Sequence, residues 1–301
     1  MISLIADCGS TKVEWAVIDT DFTSQGERQP SVIRTTGFNA AVTPADAIAS
    51  ILDKELLPSL GGHSLSGEDI SILHFYGAGC IGGEVDKRLG LLLAGRLPNA
   101  SIEIAGDLLA AARALFGHDR GIACILGTGS NMGVYDGTAI TANTPPMGFI
   151  LGDEGSGAVL GLTLINHIFK HPGYLPDEII ADFNATYHLS KAEIIEKVYR
   201  QTGANRFLAS FCPFLKRHLS HPAIHRLVAD SFTAFLSANL PTAPSEHLTK
   251  DLPIGFVGSI AHHFSRVLTQ VCTAAGFTRP LILSSPLPAL ISYHTNCKPS
   301  L

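Results

Sequence analysis

Two strand-like segments joined by a glycine-containing turn open each half of this chain of 301 residues. In the first half, the strand-like and mainly apolar segments 3–7 and 13–19 flank a turn at Gly9-Ser10. In the second half, residues 122–126 and 132–135 flank a turn at residues 127–131. Apolar runs bounded by turn residues predict β-strands, so each half is predicted to begin with a β-hairpin. A chain that begins this way twice is expected to fold into two similar units.

Both hairpins are followed by strands and helices in the same order. In the first half, a helix is predicted to begin with Thr43 as its N-cap and Pro44 in its first helical position, which suits the fixed φ angle of proline. The further elements are predicted from apolar spacing. They are strands at 31–36, 70–76 and 101–105 and helices at 84–97 and 108–116 in the first half, and strands at 254–257 and 281–284 and helices at 155–169, 261–275 and 287–294 in the second. The order β-β-β-α-β-α-β-α, used twice, predicts a duplicated α/β fold.

The residues themselves give weaker support for a duplication. A shift of 120 positions places Ile5, Gly9, Ser10 and Trp15 on Ile125, Gly129, Ser130 and Tyr135. Four matches alone are compatible with chance, so the inference depends mainly on the shared order of elements. Residues from about 175 to 240 interrupt the second copy and are predicted to be helical, with a capping-box pattern at Ser190 and Glu193.

Composition argues against several classes of partner. The net charge is -5 and no run of Lys or Arg occurs, whereas nucleic acids and anionic membranes both require a basic face. No window approaches the roughly 20 apolar residues of a membrane span, and no signal-peptide pattern opens the chain. The six cysteines are scattered and are expected to be buried and reduced. We therefore expect a cytoplasmic protein, and the sequence leaves open whether it forms a homodimer.

The two glycine-containing turns are the strongest candidates for a ligand site. Glycines allow a ligand to approach the backbone closely, and successive N–H groups with nearby hydroxyls can cradle phosphate oxygens. Neither turn matches a P-loop, and no G-x-G-x-x-G lies between a strand and a helix, which excludes those two nucleotide motifs. Turns at equivalent positions of two halves are expected to face each other across a cleft and to bind a polyphosphate there.

Three aspartates lie at the ends of predicted strands or before predicted helices. Asp7 ends an apolar strand, where it is expected either to support Mg²⁺ or to cap the turn. Asp107 lies between a strand and a helix, so an N-cap role and a role as catalytic base are both compatible with its position. Asp153 belongs to the glycine-rich residues 148–157, which are predicted to form a binding loop. Phosphoryl transfer to a hydroxyl needs such a carboxylate to accept the proton.

These segments resemble motifs of the actin/hexokinase/Hsp70 ATPase superfamily. Residues 7–12 resemble its phosphate-1 motif and residues 127–131 its phosphate-2 motif. Residues 254–261 are similar to the adenosine motif, and residues 283–290 are similar to the second connecting segment. Within the superfamily, residues 126–131 followed by 152–156 resemble the N-acetylglucosamine kinase branch of the BadF/BadG/BcrA/BcrD ATPase family.

The resemblance implies a fold and an activity. It implies two ribonuclease H-like domains, residues 1–117 and 118–285, with an interdomain cleft and with the C-terminal helix at 286–301 completing the first domain. It also implies an ATP-dependent kinase that phosphorylates an amino sugar. The expected acceptor is the 6-hydroxyl of N-acetylglucosamine, and the expected cofactors are ATP and Mg²⁺.

The resemblance also implies roles for individual residues. Asp107 is expected to be the catalytic base, and Asp7 is expected to hold Mg²⁺ through water. The expected sugar-binding residues are Asn39, Ser130, Gly148 and Asp153, and the expected ATP-binding residues are Gly9, Ser10, Thr11, Lys12, Gly127, Thr128, Gly129, Gly258 and Ser259. Ser259 stands where the family often has a second glycine, and Ala289 stands where a glycine is usual, which affects nucleotide affinity rather than the fold.

Two other functions are compatible with the same motifs. One is an ATPase that activates a 2-hydroxyacyl-CoA dehydratase through a shared iron–sulfur cluster, which requires interface cysteines. Here Cys124 lies within a predicted strand and Cys80 lies beside Gly79, and no second cysteine lies at a plausible spacing near Asp153. The other is a nucleotide or sugar sensor, which is expected to lack a base such as Asp107. The motifs do not distinguish N-acetylglucosamine from glucosamine, N-acetylmuramic acid or another hexose.

Overall fold

The computed structural model of the protein describes residues 1–19, 30–240 and 252–295. The chain divides into two compact units. The first comprises Met1–Gly117 together with the segment that begins at Pro286, and the second comprises His118–Ser285. Each unit contains one five-stranded sheet.

The sheet of the first unit has the strand order β3-β2-β1-β4-β5. Its strands are β1 (Ile2–Cys8), β2 (Lys12–Asp19), β3 (Ser31–Thr36), β4 (Ile70–Gly77) and β5 (Ser101–Gly106). The first three strands are antiparallel, and β4 and β5 run parallel to β1. Because side chains alternate along a strand, one face carries Leu4, Trp15 and Phe75 and the other carries Ile5 and Tyr76.

The helices of the first unit connect its parallel strands and cover the sheet. They are α1 (Ala45–Ile51), α2 (Leu57–Gly62), α3 (Gly83–Ala94) and α4 (Asp107–Phe116). Residues Leu52–Leu56, between α1 and α2, have π-helical hydrogen bonding.

Two helix starts differ from the sequence-based prediction. Pro44 is the N-cap of α1 rather than its first helical residue, because the Thr43 hydroxyl accepts a hydrogen bond from the Asn39 N–H and so serves the preceding loop. Asp107 is the first residue of α4 rather than its N-cap, which is Gly106. The N-cap interpretation of Asp107 is therefore wrong.

The sheet of the second unit has the order β10-β9-β6-β7-β8, which repeats the arrangement of the first. Its strands are β6 (Gly121–Leu126), β7 (Ser130–Tyr135), β8 (Ile140–Asn143), β9 (Ile254–Val257) and β10 (Leu281–Leu283). Here too the first three strands are antiparallel and the last two run parallel to β6. The predicted α/β fold with a duplicated plan is thus confirmed.

The helices of the second unit include the predicted helical insertion. They are α5 (Gly148–Leu151), α6 (Gly157–Lys170), α7 (Asp177–Tyr187), α8 (Lys191–Tyr199), α9 (Ala204–Ala209), α10 (Cys212–Arg217), α11 (Pro222–Asn239), α12 (Ser259–His263) and α13 (Ser265–Ala274). The capping box of Ser190 and Glu193 is confirmed. The single helix predicted for 261–275 is instead α12 and α13, because the buried Phe264 departs from helical backbone angles.

The last helix, α14 (Leu287–Thr295), belongs to the first unit. Its buried residues Leu287 and Leu290 pack in one cluster with Ile5, Ala16 and Tyr76 of the first sheet. In the parts of the chain that the structure describes, none of the helices combines the length and apolar character needed to cross a membrane.

The two hairpins do not superpose at the shift of 120 positions that matches residues of similar type. Cys8 pairs with Val13 at the end of the first hairpin, and Leu126 pairs with Ser130 at the end of the second. Superposing these pairs requires shifts of 126 − 8 = 118 and 130 − 13 = 117 positions. The four residue matches therefore do not mark equivalent positions, and the duplication rests on strand order and direction.

Candidate functional site

The turn of the first hairpin, residues 9–12, is held by two backbone hydrogen bonds. The Gly9 N–H donates to the Lys12 carbonyl at 3.0 Å, and the Gly37 N–H donates to the Thr11 carbonyl at 3.2 Å. A Cβ atom at Gly37 would lie 2.3 Å from the Gly9 carbonyl oxygen, so only a glycine allows this approach. Gly37, which follows β3, therefore packs against the turn, and sequence reasoning missed this role because it depends on contacts between strands.

The same turn leaves donors available for an anion. Among the described residues, no hydrogen-bond partner is found for the N–H groups of Ser10 and Thr11. Consecutive unpaired N–H groups form a concave site that suits phosphate oxygens. The backbone present thus fits the phosphate group that the sequence motif predicts.

Asp7 and Asp107 lie close enough in the first unit to interact electrostatically. Asp7 is in β1, and β4 separates this strand from β5, whose end leads directly into Asp107. Burial raises the pKa of Asp7 to about 7, with smaller contributions from the negative charges of Asp107 and Glu14. Burial also raises the pKa of Asp107, although the backbone N–H of Leu108 donates to its carboxylate and opposes the shift. Carboxylates with raised pKa values at one sheet edge are typical of sites that handle protons.

Asn39 presents hydrogen-bond donors from a loop held against β4. Its side-chain oxygen accepts the Ala41 N–H at 2.9 Å, which fixes the orientation of the amide. A Cβ atom at Gly79 would lie 2.1 Å from this oxygen. Within the described part of the chain, the Nδ2 group of Asn39 has no partner, so its two N–H donors can meet the hydroxyl groups of a ligand.

The turn of the second hairpin, residues 127–129, is built in a similar way. The Gly127 N–H donates to the Gly129 carbonyl at 3.0 Å. The N–H groups of Gly157 and Ala158, at the start of α6, donate to the carbonyls of Gly127 and Thr128 at 2.8 and 3.2 Å. The N–H groups of Thr128 and Gly129 find no partner among the described residues, so this turn also fits a phosphate.

Asp153 packs against this second turn. The Ser130 N–H lies 3.4 Å from one carboxylate oxygen of Asp153, and a Cβ atom at Gly129 would lie 3.1 Å from the other. Burial raises the pKa of Asp153 against the opposing effect of the Ser130 N–H. Asp153 has a left-handed φ of 58°, and Ser156 rather than Asp153 caps α6, so the carboxylate is not needed to start the helix.

The remaining candidates of the second unit are Gly148, Gly258 and Ser259. Gly258 has a φ of 126°, and its Cβ would lie 2.3 Å from the Leu126 carbonyl oxygen, so it brings the start of α12 against β6 and the second turn. Ser259 is the exposed first residue of α12. Gly148 is exposed, and no atom lies within 4 Å of the position of its Cβ. The structure therefore groups residues 127–130, Asp153 and Gly258, and none of the contacts described for Gly148 joins it to this group.

The residues present fit a magnesium ion that is held mainly by water molecules and substrate phosphates rather than by protein side chains. Among the described residues, no three His, Cys, Asp or Glu side chains converge in a way that could hold a metal ion. Mg²⁺ in phosphoryl-transfer sites is commonly bound by one or two carboxylates, water molecules and substrate phosphates. Asp7, next to the unpaired N–H groups of the first turn, suits that arrangement.

The cysteines give no support to an iron–sulfur cluster. Cys8, Cys80, Cys124, Cys212 and Cys272 are all buried and free, and Cys297 lies outside the described residues. Burial raises the pKa of the Cys80 thiol to about 12, with smaller effects from Asp86 and Asp107. Cysteines bind iron–sulfur clusters in the thiolate form, and burial of these thiols disfavours that form.

Comparison with solved structures finds similarity along nearly the whole chain. A protein from Porphyromonas gingivalis, provisionally assigned as an N-acetylglucosamine kinase, is 42% identical, with coverage of 98% of this chain and 99% of that chain and a TM-score of 0.88. A protein from Chromobacterium violaceum with the same provisional assignment is 16% identical, with coverage of 97% and 98% and a TM-score of 0.66.

A third structure shares the fold at greater distance. The ethanolamine utilization protein EutJ from Carboxydothermus hydrogenoformans is 16% identical, with coverage of 99% of this chain and 90% of that chain and a TM-score of 0.54. No protein-family model matches the chain, and no curated protein matches it.

Proposed function

Since the chain belongs to the N-acetylglucosamine kinase branch of the BadF/BadG/BcrA/BcrD ATPase family, we propose that it transfers the γ-phosphoryl group of ATP to the 6-hydroxyl of N-acetylglucosamine in the cytoplasm. The observation that carries this proposal is the pair of half-buried carboxylates, Asp7 and Asp107, at one edge of the first sheet. Asp107 there opens α4 and interacts electrostatically with Asp7, and Asp7 comes just before the turn whose N–H groups are unpaired among the described residues. A sugar kinase needs a proton acceptor, a metal-supporting acid and a phosphate cradle, and these residues supply all three.

Asp107 is the proposed catalytic base. The 6-hydroxyl donates its proton to the Asp107 carboxylate while its oxygen forms the new bond to the γ-phosphorus, and the bond from that phosphorus to the bridging oxygen breaks to release ADP. Burial raises the pKa of Asp107, which makes its carboxylate a better proton acceptor than an ordinary aspartate. Asn39 and Asp153 are proposed to bind the other hydroxyl groups of the ring, through N–H donors and carboxylate acceptors respectively.

The two turns are proposed to bind the phosphates of ATP through residues 9–12 and 127–129. Their unpaired N–H groups and the Thr11 and Thr128 hydroxyls donate, and Lys12 adds a positive charge. Bound Mg²⁺ neutralises negative charge that develops on the phosphate oxygens, and Asp7 is proposed to orient water ligands of that ion. Gly258 and Ser259 are proposed to lie beside the adenosine.

A panel of free sugars tests the substrate and the position together. ADP release should be fastest with N-acetylglucosamine and slower with glucosamine and N-acetylmuramic acid. The matched control is 6-deoxy-N-acetylglucosamine, which binds through the same groups but lacks the accepting hydroxyl. We expect this analogue to give no ADP above the rate without sugar. Phosphorylation of the 6-deoxy sugar would contradict the assigned position, and ADP release indifferent to every sugar would contradict the kinase proposal.

Replacing Asp7 with asparagine is expected to stabilise the metal-free protein and to weaken its use of Mg²⁺. The pKa of Asp7 is raised from 3.8 to about 7, so the folded protein retains a proton that the unfolded chain loses between those pH values. The ionised carboxylate therefore opposes folding increasingly from pH 4 to pH 7. Without Mg²⁺, Asp7→Asn should melt at a higher temperature than the natural protein at pH 8, and the difference should vanish near pH 4.

The same variant should need about 10–100-fold more Mg²⁺ for half-maximal turnover, which is the usual cost of losing a residue that orients metal ligands. Melting curves at both pH values and a magnesium titration of turnover check the two halves of this prediction. An unchanged magnesium requirement would remove Asp7 from the metal site.

A further inference from the structure

A row of charged residues crosses the first sheet at the level of Asp7. The strand register places Arg34 of β3 opposite Glu14 of β2, and Glu14 opposite Asp7 of β1. Residues directly opposite each other in antiparallel strands project from the same face and lie close together. Glu14 thus stands between a cation and the proposed metal-supporting acid, and nothing in the sequence motifs gave it a role.

Glu14 holds two cations although it is almost completely buried. Only 6% of the residue is exposed. One carboxylate oxygen lies 2.9 Å from the Lys12 ammonium group, and the other lies 2.9 Å from Nε of Arg34. Burial raises the pKa of Glu14, but the hydrogen bonds from Lys12 and Arg34 outweigh this effect and lower it overall. The acid is therefore ionised and fixed in orientation at neutral pH.

Stability alone does not account for an ionised acid at this position. Two acids directly opposite each other in a sheet repel, and Asp7 and Glu14 form such a pair. Buried ion pairs are often no more stabilising than apolar residues of similar size. The apposition of Asp7 and Glu14 opposes folding, and arrangements of that kind are expected mainly where function requires them.

The strands described for the second unit carry no such row of charges at the same level of the hairpin. The pair next to the turn-closing pair is Asp7 with Glu14 in the first hairpin and Ile125 with Asn131 in the second. The Asn131 side chain accepts a neutral hydrogen bond from Asn143 at 2.7 Å. The charged row is therefore not required by the hairpin architecture and is specific to the first turn.

We propose that Glu14 is a positioning residue for phosphoryl transfer, acting through Lys12. Lys12 belongs to the first turn, and its long side chain is 58% exposed, so without a partner its ammonium group would sample many orientations. Glu14 accepts one of the three N–H donors of the Lys12 ammonium group, which leaves two donors for phosphate oxygens. Arg34 balances the charge of Glu14, so that the three residues keep one net positive charge beside the turn. This inference rests on the proposed function.

A double-mutant cycle tests the proposal. Glu14→Gln should lower kcat about tenfold, because Lys12 keeps its charge but loses its fixed orientation. Binding of ADP with Mg²⁺, measured by calorimetry without turnover, should change by less than about threefold in this variant. Lys12→Met should lower both kcat and ADP affinity. Because Glu14 acts through Lys12, the double variant should have the kcat of Lys12→Met alone.

Controls separate this role from a general loss of structure. Glu84→Gln removes an acid from an exposed ion pair with Lys87 in the same unit and should leave kcat unchanged. If Glu14→Gln does not fold, Glu14→Asp replaces it in the cycle, because the shorter side chain keeps the charge but withdraws it from Lys12. Multiplicative effects of the two substitutions would overturn the proposal. A raised magnesium requirement in Glu14→Gln that Lys12→Met does not share would also overturn it and make Glu14 a metal carboxylate.

The outcome also distinguishes this inference from the proposed function. If the natural protein binds no ADP, the proposed function fails and the inference fails with it. If the natural protein binds ADP and phosphorylates a sugar while the cycle is multiplicative, only the role of Glu14 is wrong.

Discussion

Replacing Asp107 with asparagine is expected to lower kcat by about 10²–10⁴-fold, the usual contribution of a positioned general base. The amide oxygen can still accept the Leu108 N–H, but an amide does not take up the proton of an attacking hydroxyl. Because the substitution removes a charge that burial disfavours, the melting temperature should be unchanged or slightly higher. The affinity for ATP should change little. Measurements of kcat, nucleotide binding and melting temperature on one preparation check all three expectations.

The matched control for this substitution is Asp177→Asn. Asp177 is also the first residue of a helix, α7, but it is exposed. Loss of its charge near a helix N-terminus should cost roughly 0.3–1 kcal/mol of stability and leave kcat unchanged. If Asp107→Asn behaves like this control, with wild-type turnover per folded molecule, Asp107 is a helix-terminus residue and not the base.

Replacing Gly37 with alanine is expected to abolish nucleotide binding at concentrations that saturate the natural protein. The added Cβ would lie 2.3 Å from both the Gly9 carbonyl oxygen and the Lys12 nitrogen. These atoms are backbone and cannot rotate away, so residues 9–12 must move as a group. Overpacking of this kind typically costs about 1–3 kcal/mol of unfolding free energy. Calorimetric titration with an ATP analogue and a denaturant curve measure the two effects separately.

Gly61→Ala is the control for this change. Gly61 lies in α2, and no atom is within 4 Å of the position of its Cβ. Alanine is the better helix former, so this variant should be neutral or more stable by up to about 1 kcal/mol and should bind nucleotide normally. Normal nucleotide binding by a folded Gly37→Ala protein would mean that the first turn does not hold the phosphates.

Local sequence pattern was sufficient to predict most of the fold. Apolar runs bounded by turn residues identified the strands of both hairpins, and the same order of elements correctly predicted the duplicated sheet. The pattern did not predict the register of the second hairpin. Gly129 and Ser130 match Gly9 and Ser10 by residue type at a shift of 120 positions, but the strand pairs that close the two turns correspond at shifts that are two or three positions smaller. It also missed the break at Phe264, where packing in the core overrides helical spacing.

The candidate site could be proposed from sequence only where it is local in the chain. The turns at residues 9–12 and 127–129 became candidates through their glycine and hydroxyl content, and Asp107 became a candidate through its place after a strand. The roles of Gly37 and Glu14 depend on which atoms of neighbouring strands they meet, and a single sequence does not contain that register. The resemblance to the sugar kinase family, which 42% identity to a solved structure confirms, supplied Asn39, whose sequence position alone was compatible with a simple turn.

The position of α14 has a consequence for how the protein is synthesised. Leu287 and Leu290 complete an apolar cluster whose other buried members, among them Ile5, Ala16, Tyr76 and Ala110, all precede the second unit in the chain. Domains commonly fold as units while the chain emerges, the N-terminal one first. Here the part of the first sheet that α14 covers, beside Ala110 of α4, stays exposed until α14 has been synthesised, and the described elements of the second unit all precede α14 in the chain. We therefore expect the second unit to reach its final packing before the first, so that the order of folding reverses the order of synthesis.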